Sequence, residues 1–149
     1  MSSSELWTAA EILKERHDAV GNFVVLKTGD PVPLELTVRP VEMMLRGFAL
    51  ENLMKALWVK GKNEIVREGR YIGVPGAGHH KLDLLAAAVG LTVDPKRRDV
   101  LERLSLFMTF VGRYPIPTRA HVGSGVGWST PQDNETLHEI FQNLQAKLA

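Results

Sequence analysis

The residues best able to do chemistry fall into two short stretches. His80 and His79 stand three and four residues before Asp83. On a helix those spacings bring imidazole and carboxylate to one face, where they could act as an oriented acid–base pair or supply half of a metal site. No second cluster at metal-ligand spacing accompanies them, so a structural role at the first turn of a helix is the simpler reading. The second stretch, Gly112 to His121, gathers Arg113, Tyr114, Arg119 and His121 in a segment broken by Pro115 and Pro117. Arginine binds phosphate through its planar fork, tyrosine stacks on a base, and histidine exchanges a proton near neutral pH. The plainer alternative is that Arg113 caps the carbonyls of the preceding helix while Tyr114 covers the core edge.

Other candidates are weaker. Gly123-Ser124-Gly125-Val126-Gly127 resembles a phosphate cradle, but no Lys-Ser or Lys-Thr follows and no strand precedes it, so it reads as a connection. Gly73 to Gly78 also reads as loop, delivering the chain to the two histidines. Lys96-Arg97-Arg98 sits at a helix start beside Asp94, Asp99 and Glu102 and reads as a solvated face. His17 falls on an apolar helix face, and His138 on a polar one. These motifs assign neither a metal nor a cofactor.

Composition bounds the rest. The chain has 149 residues, 44% of them hydrophobic and 23% charged, with a formal charge of +1. That is one domain's length with enough apolar residues for a core, which excludes wholesale disorder. The balance is uneven along the chain. Residues 96–121 hold six Lys and Arg against two acids, a net +4, while residues 1–20 and 131–149 each carry −2. An anionic partner would meet the positive stretch first. Cysteine is absent, so disulfides, thiolate zinc sites and cysteine nucleophiles are excluded. The N-terminus lacks the pattern of a signal peptide, and no run approaches the ~20 apolar residues of a membrane span. The expectation is a cytoplasmic protein with no membrane partner.

The elements that must position these residues are helical. Residues 4–20 have helical spacing, with Ser4 as the expected cap and Leu6, Ala10, Leu13, His17 and Val20 on one face. Phe23–Leu26 and Leu34–Val38 flank a Pro- and Gly-rich loop, an extended connection or a short hairpin. Val41 to Lys60, after Pro40, is the central helix. Glu42, Arg46 and Lys60 form one polar stripe and Glu51 with Lys55 another, so neighbours are expected on more than one flank. Lys62–Arg67 is expected to add a helical turn. A short helix runs from His79 or His80 to Val89, with Leu82, Leu85, Ala86 and Val89 inward. Asp94-Pro95 starts a helix to about Val111, and Thr130-Pro131 starts the last one. The expected fold is all-α: one domain spanning 1–149, an up-and-down bundle of about five helices with adjacent helices mostly antiparallel.

Three pieces, in order, resemble HEPN (higher eukaryote and prokaryote nucleotide-binding) domains. They are Phe48-Ala49-Leu50-Glu51-Asn52-Leu53-Met54-Lys55-Ala56-Leu57, Gly78-His79-His80-Lys81-Leu82-Asp83-Leu84-Leu85 and Val111-Gly112-Arg113-Tyr114-Pro115, within a core of about 40–115. The resemblance implies a helical bundle, commonly a homodimer, serving toxin–antitoxin, phage-defence or RNA-processing systems, with nucleotide, RNA or an antitoxin-like protein as partner. Many members are metal-independent endoribonucleases that use an arginine and a nearby histidine across the dimer cleft. Carried over, Arg113 and His121 would be catalytic, and Arg119, Tyr114, His79, His80 and Asp83 would contact ligand. Seven residues separate Arg113 from His121 and one separates Arg119 from it, and neither matches the family spacing. The resemblance therefore extends equally to members that only bind nucleotide, and to a non-catalytic dimerisation or protein-interaction domain.

Overall fold

The computed structural model describes residues 1–20, 23–25, 31–33, 38–111 and 131–149, with the backbone alone at 17–20, 23–25, 31–33, 110, 111 and 131. Among the described residues, five α-helices form an all-α bundle: α1 (Ser3–Val20), α2 (Arg39–Lys60), α3 (Leu82–Ala88), α4 (Pro95–Leu106) and α5 (Pro131–Leu148). A π-helical turn, Phe107–Val111, extends α4 to the expected end.

Ser2, not Ser4, caps α1. Its Oγ accepts from the Glu5 N–H at 3.3 Å while its own N–H donates to Glu5 Oε2 at 2.6 Å, a reciprocal capping box. Asp94 caps α4 as expected, accepting from the Arg97 N–H at 2.8 Å, with Pro95 in the first turn. The side chain of His17 lies outside the described residues. Leu6, Trp7 and Ala10 are the buried face of α1 among described side chains; Trp7 replaces the expected Leu13, which is only half-buried.

Two short hairpins interrupt the helical pattern. β1 (Phe23–Val25) pairs antiparallel with β2 (Pro31–Pro33), so the second strand falls on prolines expected in the loop rather than on Leu34–Val38. Residues 34–37 lie outside the described residues. Proline is tolerated there because a two-stranded ribbon has only edges. No helical turn forms over Lys62–Arg67. Lys62 turns to φ 62°, and β3 (Val66–Arg67) pairs with β4 (Arg70–Tyr71) across Glu68 and Gly69 at φ 50° and 74°. Two successive positive-φ residues make the turn whose twist matches a hairpin, which outweighs the helix propensity of the flanking residues.

Helix α2 is the central element, packing against α1, α3, α4, α5 and the π-helical turn. Each of its polar stripes has a buried part: Glu42 and Arg46 in one and Glu51 in the other, while Lys55 is half-buried and Lys60 exposed. Glu42 is 0% exposed and Arg46 1%. Arg46 Nε donates to Glu42 at 3.0 Å and its NH1 to Glu11 of α1 at 2.9 Å, while the guanidinium lies 4.7 Å from the Trp7 ring centre. Trp7 in turn stacks on Phe141 of α5 at 4.1 Å. Arg39 ties Glu42 at 2.7 Å to Asn134 of α5 at 3.2 Å. At the far end, Lys60 Nζ donates to the carbonyls of Lys147 and Leu148, satisfying the open C-terminus of α5. The two ends of α2 therefore meet the matching ends of α5, and these helices run parallel. Helices α4 and α5 run antiparallel, joined by Arg103 to Asp133 at 2.8 Å and Arg97 to Glu139 at 4.0 Å. The hydrogen bonds to Asp133 raise the Arg103 pKa more than burial lowers it, so the guanidinium stays charged.

Most of the apolar faces expected for the later helices are buried: Leu82, Leu85 and Ala86 on α3; Val100, Leu104, Phe107 and Met108 on α4 and its extension; Leu137, Phe141 and Leu144 on α5, while Val89 and Leu148 are half-buried and the Val111 side chain lies outside the described residues. Gly47 lets α2 approach the π-helical turn, since a Cβ there would stand 2.5 Å from Met108 Sδ. Among the described residues, no helix is long and apolar enough to cross a membrane.

Two outcomes are expected in urea unfolding. Arg46→Ala removes one of the two arginines bonded to buried Glu42, which keeps Arg39, and lowers stability by about 1.5–3 kcal/mol. Gly47→Ala lowers it by about 1–3 kcal/mol through overpacking against Met108, although alanine is the better helix former.

Candidate functional site

The histidine pair lies in the turn that precedes α3, not on the helix. Helix α3 begins at Leu82, so the expected common helical face with Asp83 does not form. The Leu82 N–H donates instead to Ser105 Oγ of α4 at 3.1 Å, and Ser105 Oγ donates to the Leu101 carbonyl at 2.8 Å. A side chain from a neighbouring helix thus supplies the partner that a local cap would otherwise provide, and it pins the start of α3 to α4.

His80 is held at φ 59°, a left-handed conformation histidine tolerates better than most side chains. Its Nδ1 lies 3.0 Å from Glu51 Oε2, and its ring meets Phe48 edge-on with centres 5.6 Å apart. Glu51 is 5% exposed and also accepts from Lys55 Nζ at 2.8 Å. Lys55 Nζ stands 5.2 Å from the Tyr71 ring centre on the second hairpin. The carboxylate that orients the histidine therefore comes from α2, 29 residues earlier. The pattern left one usable signal: a charged pair, Glu51 and Lys55, on a helix flank that is otherwise apolar.

His80 borders an open cavity of about 470 Å³. His79, Lys81 and Asp83 share this border with Leu84 of α3, while Glu102, Ser105, Leu106 and Thr109 close it from α4 and the π-helical turn. His79 and Lys81 are exposed, so their side chains are available to a ligand. When the neutral imidazole donates from Nδ1 to Glu51, Nε2 is its acceptor nitrogen. The cavity so built carries one oriented proton acceptor, two further cation-forming groups and two carboxylates. Among the described residues, no group of three or more His, Asp or Glu side chains could hold a metal ion.

No family model, curated protein or solved structure matches the chain. Its fold and site thus rest on its own geometry.

Of the other candidates, Arg113, Tyr114, Arg119 and His121 lie outside the described residues, as do Gly112 and the Gly123–Gly127 run. Thr109, on the cavity border, precedes Arg113 by four residues. Arg97 is occupied locally, donating to the Thr92 carbonyl at 3.1 Å, while Lys96 and Arg98 are exposed. His138 is exposed, as its polar face implies, with Nε2 2.8 Å from Gln142 Nε2.

Burial pulls the Lys55 pKa down, but hydrogen bonds to Glu51 and Tyr71 together outweigh it, so the group sits above the usual 10.5. Lys55 therefore stabilises the fold fully below 10.5 and loses that contribution as pH rises through the raised folded value. Thermal unfolding midpoints of the native protein and Lys55→Met, compared from about pH 9 to 12, check this. The native protein's advantage is expected to hold up to about pH 10 and to shrink above it.

Proposed function

We propose that this chain is a HEPN-like helical protein of the cytoplasm that binds the phosphate of a nucleotide or of RNA, working as a homodimer in a toxin–antitoxin, defence or RNA-processing system. The observation that carries the reading is the cavity bordered by His79, His80 and Lys81. Ammonium groups and imidazole N–H groups donate to phosphate oxygens. The net +4 of residues 96–121 falls on the same part of the chain, while both terminal helices are acidic. Asp83 and Glu102 on the same border disfavour a bare polyanion, so the ligand must offer donors as well as phosphate.

A second reading, a dimerisation or protein-interaction domain with an antitoxin-like partner, draws on a different surface. Val59, Val66, Tyr71 and Ile72 are all about half exposed on the second hairpin and the adjoining end of α2.

Fluorescence anisotropy with a labelled single-stranded 2′-O-methyl RNA separates the two readings. Phosphate binding predicts affinity falling steeply between about 50 and 200 mM salt. Arg113→Ala with Arg119→Ala is expected to weaken binding at least tenfold and to reduce the salt slope by about 0.7 for each phosphate that is no longer neutralised. No binding at low salt, with a Tyr71→Ser/Ile72→Ser variant that shifts the sedimentation coefficient, would favour the interaction domain.

A further inference from the structure

We propose that the outer edge of β4 is a docking site for an extended segment of another protein, one that carries an apolar residue followed two residues later by an acidic one. The proposal deepens the protein-interaction reading and rests on it; it draws nothing from the cavity.

The register of the second hairpin leaves backbone groups unpaired. The Ile72 N–H donates to the Ile65 carbonyl at 2.9 Å, so the next pair, Val66 and Tyr71, is the kind that exchanges no hydrogen bond. The N–H and carbonyl of Tyr71 therefore point away from β3, in a residue that is 51% exposed. Helix α2 stands close to the other edge, where the Glu64 carbonyl accepts from Trp58 Nε1 at 3.3 Å. The β4 edge is the open one. An added antiparallel strand takes both groups of Tyr71 through a single residue, whose N–H donates to the Tyr71 carbonyl and whose carbonyl accepts from the Tyr71 N–H.

Alternation then fixes what the partner must carry. Arg70 and Ile72 project to one face of the hairpin, and Tyr71 to the other. Ile72 shares its face with Ile65, its cross-strand neighbour, which borders an open depression of about 580 Å³ together with Ala56 and Val59. Ile72 and Val59 are each 46% exposed, so an apolar side chain laid over Ile72 removes apolar surface from water. Arg67 engages Glu64 at 3.0 Å, whereas among the described residues no carboxylate pairs with exposed Arg70. An acidic side chain opposite Arg70 supplies one. In the antiparallel sense, the partner residue opposite Ile72 comes two before the residue opposite Arg70.

A second copy of this chain fits the hairpin poorly. Pairing Tyr71 with its own copy sets each Arg70 opposite Ile72, and neither guanidinium meets a carboxylate. Pairing Val66 with its own copy on the β3 edge sets Glu64 opposite Glu68, like charge against like. A cation on an edge strand guards against self-pairing, and an acidic segment is the partner that such a guard admits.

Heteronuclear NMR of the full chain tests this with the peptide acetyl-Thr-Thr-Ile-Thr-Glu-Thr-Thr-amide, whose Ile falls opposite Ile72 and whose Glu falls opposite Arg70. The amide signals of Arg70, Tyr71 and Ile72 are expected to shift, and the Tyr71 amide to exchange more slowly while that of Val66 does not. The same peptide with Lys in place of Glu is expected to bind at least about tenfold more weakly. Arg70→Glu is expected to reverse that preference and, being an exposed change, to leave the unfolding midpoint unmoved. No shift with about 1 mM peptide, equal binding of the two peptides, or an unreversed preference in Arg70→Glu overturns the proposal. If Tyr71→Ser/Ile72→Ser then still moves the sedimentation coefficient, the interaction reading stands without strand addition; if it does not, both fall. Protection of the Tyr71 amide that grows with protein concentration in the absence of peptide gives the edge to a second copy and overturns the proposal. Protection by 2′-O-methyl RNA that is lost in Arg70→Glu gives the edge to nucleic acid and overturns it equally.

Discussion

The guanidinium of Arg46, 1% exposed, is the group around which α1, α2 and α5 are arranged. Removing such a charge from water costs several kcal/mol, and the cost is offset only where partners converge with good geometry. Glu42 supplies one partner from the same helix, Glu11 a second from α1, and the Trp7 face a third. The need to satisfy the cation therefore fixes how far α1 slides along α2. Through the Trp7–Phe141 stack it also fixes where α5 lies. Apolar packing alone is less selective, since cores of similar volume tolerate many arrangements.

The other polar stripe of α2 uses the same physics for a different end. Glu51 is nearly as buried as Arg46, yet its partners, Lys55 and His80, stand at the edge of the bundle. Lys55 supplies the cation that the buried carboxylate needs, and the turn before α3 brings His80 to its other oxygen. Helix α3 has only seven residues and could not hold that turn by itself. Its first N–H is satisfied by Ser105 of α4, which joins the histidine turn to the wall opposite. One helix thus organises the core with one flank and the cavity with the other.

Most helices were legible because their apolar residues recur at helical spacing between recognisable stops. Asp94-Pro95 and Gly61 mark boundaries by local chemistry, and the structure has α4 and α2 begin and end there. The second hairpin was not legible in the same way. Val66, Arg67, Arg70 and Tyr71 make too short a run to show a period, and the signal lay in two residues that accept positive φ. The histidine site was half legible. His79, His80 and Asp83 do border one cavity, but the carboxylate bonded to His80 is Glu51, which reads in isolation as one end of an ordinary i,i+4 pair.

The sequence by itself determined that the chain is helical, that α2 is central, and that cysteine chemistry is excluded. Each of these follows from residue type or from spacing within one segment, where neighbours in the chain are neighbours in space. Only the tertiary structure decided that Glu42, Arg46 and Glu51 are buried, that α2 and α5 run parallel, and that His80 answers to Glu51. These depend on contacts between residues 29 to 95 positions apart. No local period encodes such pairings, because they are settled by which buried charges must find one another once the helices pack.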